Sequence, residues 1–419
     1  MTNRRHLKCA SCGTKVITRT AIGHGSYQEY AFPCPNCSVE IRYALELDQS
    51  KPSFEYTKLV NADWIDGDSA EMNLDVQDES IQHVKTFDSE TLVPLSLDRN
   101  VTAFMATCRL PKDFEQFRRH QSTRFSASLG VRPEIEKLLI HFDNRNWPLF
   151  DKQAVILDFG DVNFKDESDR LRFVLRALEQ YGMFFRPGTE SLAQLVRQRV
   201  NLAESGSPLG MDCLSSYFVK SRKDVSLWAE VEGIRKRWPR IFPGLSGIYN
   251  ALYWDDLKHS LDDYSLAEKR FEELKPFYVD CFETLCRLSV IAAAIECVIQ
   301  TGQAGVQSTK RILAVEEFET ATKNGNKPNF LKDLVVADIF VPFIDSKLRN
   351  GLGHHSARYH VVKDLIEYSN ENQNGVQHMT ISYVRFCEKV VRIYGQVELA
   401  SIYLNWVKGK SMGLAGRIV

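Results

Sequence analysis

Cys9-Ala10-Ser11-Cys12-Gly13 and Cys34-Pro35-Asn36-Cys37 are two Cys-x-x-Cys pairs with 21 residues between them. Each pair can grip one side of a tetrahedral ion, and two pairs fill four positions. Gly13 suits the tight turn after Cys12, and Pro33 and Pro35 stiffen the second turn. Between the pairs, Lys15 to Thr18 is β-prone and Gly23-His24-Gly25-Ser26 has turn composition. Val39 to Tyr43 alternates with period two. Residues 1–48 therefore read as a small β unit with a metal-binding turn at each end. Four thiolates leave no open coordination position, so the expected metal is structural Zn2+ rather than a catalytic ion. An iron–sulfur cluster or a redox pair is the competing reading. His6 and His24 are spare ligands that four cysteines do not need.

This pattern resembles the zinc ribbons, over about the first tenth of the chain. Its charge is locally positive: Arg4, Arg5, Lys8, Lys15, Arg19 and Arg42 stand against Glu29 and Glu40 within residues 1–43. Such a surface is read as touching either nucleic acid or another protein. The whole chain behaves differently. Its 53 Lys and Arg against 54 Asp and Glu give a net charge of -1, so bulk charge does not make it a polyanion binder. The basic start runs into Cys9 rather than an apolar stretch, so no secretory leader is expected. Leu288 to Ile299 is apolar but contains Glu296 and is too short to span a bilayer, which needs ~20 residues; it reads as a buried helix. A cytoplasmic location is expected. Cys108, Cys213, Cys281, Cys286, Cys297 and Cys387 read as core thiols in a reducing compartment.

Residues 61–98 are acidic, with ten carboxylates from Asp63 to Asp98 opposed only by Lys85. They lack the compact spacing of a calcium loop and read as a solvated linker or surface. From about 111 the pattern turns helical. Pro133 opens one helix, and Leu171 to Tyr181 and Ser191 to Ala203 are amphipathic. Ala154 to Gly160 is the strand candidate of this region, and Ser205 to Gly210 is a loop. Ser221 to Arg240 mixes six cations with Trp228 and Trp238. RNA binding by charge and stacking competes there with a helix whose tryptophans sit in the core. Long apolar periodicity runs from Leu266 to Gln300, interrupted by Pro276. Leu331 to Asn350 is a second helical stretch, broken near Pro342 and stopped by Gly351-Leu352-Gly353. Two strands, Arg358 to Tyr368 and Val376 to Ser382, flank an Asn-rich segment ending in Asn374-Gly375, a hairpin signal. Tyr383 to Trp406 closes as a long helix.

Within this last third, Arg349-Asn350-Gly351-Leu352-Gly353-His354-His355 carries chemistry. Arginine stays charged and forks onto phosphate oxygens, and histidine exchanges protons near neutrality. Together they suit metal-independent cleavage of RNA through its own 2′-hydroxyl. The segment resembles the Arg-polar-x-x-x-His motif of HEPN-domain ribonucleases, with Arg349, Asn350 and His354 in the matching places. His355 is the alternative or assisting histidine. The resemblance implies a helical bundle, an RNA substrate, and a homodimer that brings two motifs into one cleft. It also implies a role in bacterial antiviral defence or toxin-like growth arrest. A toxin subgroup carries Tyr two residues after the His; Ser356 stands there instead.

The chain is thus expected to be mainly α. A β zinc ribbon at 1–48 precedes a mainly helical regulatory region at 49–260. A HEPN-like bundle with an inserted β-hairpin follows at 261–419. A nucleic-acid or protein trigger would bind the ribbon or the middle region. The rival reading is a non-catalytic binding regulator that uses the bundle only to dimerise. In it, Arg349 merely closes a helix and His354 is a turn residue. A zinc hydrolase is disfavoured, because no His-Glu-x-x-His or similar open-site set occurs.

Overall fold

The computed structural model describes residues 2–22, 27–48, 53–65, 81–86, 92–94, 131–158, 162–183, 190–253, 261–266, 270–307, 311–353, 357–360, 363–372 and 375–411. The Gly23–Ser26 turn, Cys108, most of the acidic stretch, His354, His355 and Ser356 lie outside these residues. The chain is mostly helical with a small β region at its N-terminus. It falls into two compact units, each assembled from three stretches. The first takes residues 1–119, 240–274 and 356–388; the second takes 120–239, 275–355 and 389–419. The units therefore do not follow the linear cuts drawn at 48 and 260. Long-range strand pairing and helix packing, invisible to local periodicity, decide the grouping.

In the first unit, β1 (Thr2–Cys9), β2 (Lys15–Ala21), β6 (Ala62–Trp64) and β7 (Gln82–Thr86) form one sheet, ordered β6-β1-β2-β7. β1 pairs antiparallel with β2 and β6, whereas β7 runs parallel to β2. A second sheet is an antiparallel meander of β3 (Tyr27–Pro33), β4 (Glu40–Asp48) and β5 (Ser53–Val60). Leu7, Val16, Tyr30, Phe32, Ile41, Tyr43 and Leu45 pack into one core with Cys9 and Cys34. The β region thus continues past residue 48, and Ala62–Trp64 and Gln82–Thr86 of the acidic stretch are strands rather than linker. Tyr43 Oη is tied to Thr20 Oγ1 at 2.6 Å and Thr86 Oγ1 at 2.7 Å, which satisfies its hydroxyl inside the core.

The expected hairpin forms. The stretch 358–368 is two strands, β8 (Arg358–His360) and β9 (Leu365–Asn372), with Asp364 at φ 52° just before the second. β9 then pairs with β10 (Gly375–Ser382) from Leu365↔Ser382 to Asn372↔Gly375. Only two residues connect the strands, and Gly375 takes φ 109°, which a side chain would resist.

The second unit is helical. A helix over 131–143 is α1, followed by α2 (Trp147–Leu157), α3 (Glu167–Met183) and α4 (Glu190–Gly206). Next come α5 (Pro208–Lys220) and α6 (Lys223–Ile241). The strand expected at 154–160 is corrected: residues up to Leu157 belong to α2. Its buried residues Phe150, Gln153, Ala154 and Leu157 fall at i, i+3, i+4 and i+7, while Val155 and Ile156 face solvent. The loop expected at 205–210 shrinks to Ser207. Its Oγ accepts from the Gly210 amide at 3.3 Å and donates to the Gly302 carbonyl at 2.8 Å.

Helix α7 (Ser246–Tyr253) lies in the first unit. The expected long helices appear as α8 (Phe271–Thr301) and, at the C-terminal end, a helix over Tyr383–Ser411. Among the described residues, no helix is long and apolar enough to cross a membrane. Glu296, inside the apolar run of α8, is buried and receives Arg199 Nε at 2.7 Å. The helical stretch expected at 331–350 is instead a series of short pieces. They are a 3-10 helix at Asn324–Leu331, α9 (Val315–Ala321) before it, and then α10 (Ala337–Phe340). A 3-10 turn at Val341–Phe343 and α11 (Ser346–Gly353) complete the series, so the Tyr383–Ser411 helix is α12. Pro328 and Pro342 remove amide donors that a continuous helix requires.

Cys281, Cys286, Cys297 and Cys387 are buried, as expected for core thiols, whereas Cys213 is exposed. In α6, Trp238 is buried and stacks on Tyr394 with centroids 3.9 Å apart. Arg235 on the same helix is also buried, held by Glu398 and Glu232. The basic stretch 221–240 therefore spends part of its charge inside the fold.

Candidate functional site

The four cysteines converge. Their sulfurs all lie within 4.8 Å of one another, with Cys9 to Cys37 at 3.7 Å and Cys12 to Cys34 at 3.6 Å. A tetrahedral ion with 2.3 Å bonds to sulfur separates its ligands by about 3.8 Å, so the set fits one. The two turns are built alike. The Gly13 amide donates to the Cys9 carbonyl at 2.9 Å, and the Ser38 amide donates to the Cys34 carbonyl at 2.9 Å. Gly13 and Ser38, each four residues after the first cysteine of its pair, take φ 73° and 59°. Cys9 and Cys34 are buried, and Cys12 and Cys37 are exposed.

A contact from outside the expected 1–48 region ties the turns together. The Ala10 amide donates to the Asn61 carbonyl at 3.0 Å, and Asn61 Nδ2 donates to the Glu40 carbonyl at 2.7 Å. No metal motif marks Asn61 in the sequence. The Thr14 side chain and amide pull the Cys12 thiol down to about 6. The Val39 amide draws Cys37 down, yet desolvation and the neighbouring sulfurs outweigh it and leave that thiol at about 12. One sulfur ionises early and its neighbour then resists. A dication removes this repulsion and lets all four act as thiolates.

The second constellation lies in the helical unit. Asp345 caps α11: its Oδ1 accepts from the Leu348 amide at 3.0 Å, and Lys389 Nζ holds its Oδ2 at 3.1 Å. This fixes the helix that carries Arg349 and Asn350. Arg349 Nη1 donates to Asn350 Oδ1 at 3.2 Å, and Nη2 pairs with Glu283 of α8. Among the described residues, Arg349 Nε is buried with no hydrogen-bond partner. Glu283 also accepts from Asn324 Nδ2 at 2.5 Å, and Asn324 Oδ1 accepts from buried Lys327 at 2.7 Å.

Glu283, Asn324, Arg349 and Asn350 border a cleft of about 440 Å3 that Phe282, Lys323 and Ser346 also line. Two cations and one carboxylate line it, which favours an anion. Gly325 lies at its wall, where a Cβ would meet Ser346 Oγ at 2.5 Å unless that hydroxyl turned away. Burial pushes the nearby Cys286 thiol up to about 12, so that sulfur stays protonated and is no nucleophile.

The structure thus brings Arg349 and Asn350 into one cleft, and α11 ends at Gly353, the residue before His354. His354 and His355 lie outside the described residues. Glu283, Asn324 and Lys327 carry no motif, so sequence reading passed over them. A second cleft of about 440 Å3 in the β unit includes Glu29, Glu40, Arg42, Lys58 and Arg270. Its charges largely pair with one another, Lys58 with Glu29 at 2.5 Å and Arg270 with Glu29 at 3.4 Å. Compared with family models, with curated proteins and with solved structures, the chain matches none.

Proposed function

We propose that the chain is a metal-independent endoribonuclease of HEPN type, acting through Arg349, Asn350 and His354, with His355 as the assisting or alternative histidine. The observation that carries the reading is Arg349 itself. Its guanidinium stands in a cleft with more cations than carboxylates, one N–H is buried without a partner among the described residues, and His354 is the next residue in sequence after its helix. Arginine binds phosphate as a planar fork, and one carboxylate contact from Glu283 leaves donors for an incoming phosphodiester. Asn350 orients the fork. His354, which follows α11 in the sequence, supplies the proton exchange that 2′-hydroxyl attack needs. A homodimer supplies a second copy of each group. The metal of the four-cysteine site is Zn2+ in a structural role. Bacterial defence or growth arrest is the setting the resemblance implies, with a cytoplasmic protein and a nucleic-acid or protein trigger.

The test is cleavage of end-labelled single-stranded RNA in excess EDTA. Wild type is expected to cut and to leave 2′,3′-cyclic phosphate ends. Arg349→Ala and His354→Ala are each expected to lower the rate by about 100-fold or more, the scale of a lost positioned acid, base or charge stabiliser. Cleavage that survives both substitutions overturns the site. The binding-regulator reading then takes its place, favoured by the exposed cations of the β unit.

A further inference from the structure

We propose that a second copy of this chain docks on the solvent side of α2, the two helices lying antiparallel about a two-fold axis at Val155. The inner side of α2 is set by Phe150, Gln153, Ala154 and Leu157, which are buried. At 3.6 residues per turn, Val155, Pro148, Lys152, Ile156 and Leu149 follow one another around the other side, over about 120°. All five are exposed. Val155 is 60% exposed, Ile156 59% and Leu149 45%. Scattered exposed apolar residues are ordinary, but three that share one stripe of an eleven-residue helix form a patch, and such patches mark interaction surfaces.

Charge selects the occupant. Lys152 stands in the middle of the stripe, three residues before Val155, and Asp158 closes the helix three residues after it. Both are exposed. Among the described residues neither side chain has an ion pair or hydrogen bond, whereas Asp151 beside them is taken by Arg170 at 2.7 Å. Covering a lysine with apolar surface is costly unless a carboxylate arrives with the cover. A second α2 brings one. With the helices antiparallel about an axis at Val155, Lys152 lies level with the partner's Asp158, and Asp158 with the partner's Lys152. Each pair stands about 4.5 Å along the helix from the axis, at 1.5 Å per residue. Val155 meets its own copy on the axis, with Ile156 beside it. A parallel pair would instead set lysine on lysine. A partner of one charge sign would leave either Lys152 or Asp158 unanswered. The patch is small beside the ~800 Å2 per partner of a standard interface, so reversible association in the micromolar range is expected.

This contact uses none of the residues of the Arg349 cleft, and it holds or fails independently of the ribonuclease reading. The test is sedimentation equilibrium of the full chain from about 1 to 100 µM, the range in which a contact of this size associates. Wild type and Arg349→Ala are expected to associate alike. Val155→Glu with Ile156→Glu is expected to raise the dissociation constant at least about tenfold, the effect of losing the centre of an interface. Lys152→Asp and Asp158→Lys each oppose like charges twice and are each expected to weaken association, while the two together restore the pairing in reverse and associate as wild type. Every substituted side chain is exposed, and far-ultraviolet circular dichroism confirms that each variant is folded. A wild type that stays monomeric throughout overturns the proposal. So does association that Val155→Glu with Ile156→Glu leaves unchanged, which would assign the contact to another surface and leave the ribonuclease reading standing. A charge swap that fails to restore association overturns the antiparallel pairing about Val155.

Discussion

Glu398→Ala is expected to destabilise the helical unit by about 3–5 kcal/mol, the cost of leaving a buried charge without its partner. Glu398 and Arg235 are each 1% exposed. Arg235 donates to both Glu398 oxygens, with Nε at 3.1 Å to each and Nη2 at 2.8 Å to Oε2. Its other donors reach Glu232 at 2.8 Å and Ser401 at 2.9 Å, and Arg132 reaches Glu232 at 3.0 Å. Tyr394 donates to Glu398 at 2.8 Å. Removing Glu398 leaves the Arg235 guanidinium desolvated beside α12 and strips the Tyr394 hydroxyl of its acceptor. Urea unfolding followed by helical circular dichroism measures the loss. A change below about 1 kcal/mol would mean that water reaches this network freely.

The same network sets an acid limb. Burial alone would raise Glu232, but Arg235 and Arg132 outweigh it and hold the carboxyl below its ordinary 4.5. A carboxyl depressed in the folded state stabilises fully above its unfolded pKa and loses that contribution as pH falls through the folded one. Stability is therefore expected to drop below about pH 4.5, and Glu232→Gln is expected to flatten that drop while lowering stability at pH 7. An acid limb of unchanged steepness in Glu232→Gln would assign it to other carboxylates.

Cys34→Ser is expected to abolish metal binding and unfold both turns of the four-cysteine site. Structural four-cysteine sites bind zinc with on the order of 10 kcal/mol of apparent free energy, which the turns share. Cys34 is buried at the centre of the β core, and its carbonyl anchors the Ser38 turn. Hydrogen exchange at Gly13 and Ser38 should quicken strongly, while the far-ultraviolet helical signal should remain. Loss of that helical signal would show that the second unit depends on the metal for folding.

The two cysteine pairs announced their own geometry because ligand spacing is local: each turn closes within five residues, and nothing distant is needed to shape it. The long helices at 271–301 and 383–411 and the hairpin at 365–382 were equally legible, since apolar period and Asn-Gly chemistry are short-range signals. Ala154 to Leu157 misled because four apolar residues in a row fit a strand or a helix, and only the burial of Phe150 and Gln153 on the same side chooses. Residues 331–350 misled because Pro342, with Pro328 just before the stretch, divides a helical pattern more finely than its periodicity suggests.

What the sequence determined by itself was the set of four cysteines that can share one ion, the helical class and the placement of Arg349 and Asn350 near a helix end. Only the tertiary structure decided that Glu283 and Asn324, more than twenty residues upstream of Arg349, shape its cleft. Only it decided that Asn61 links Ala10 to Glu40 beside the four-cysteine cluster. The physical reason is the same in each case. Ligand turns and helix faces follow from neighbours along the chain, whereas a cleft follows from pairings between distant strands and helices, which local pattern does not encode.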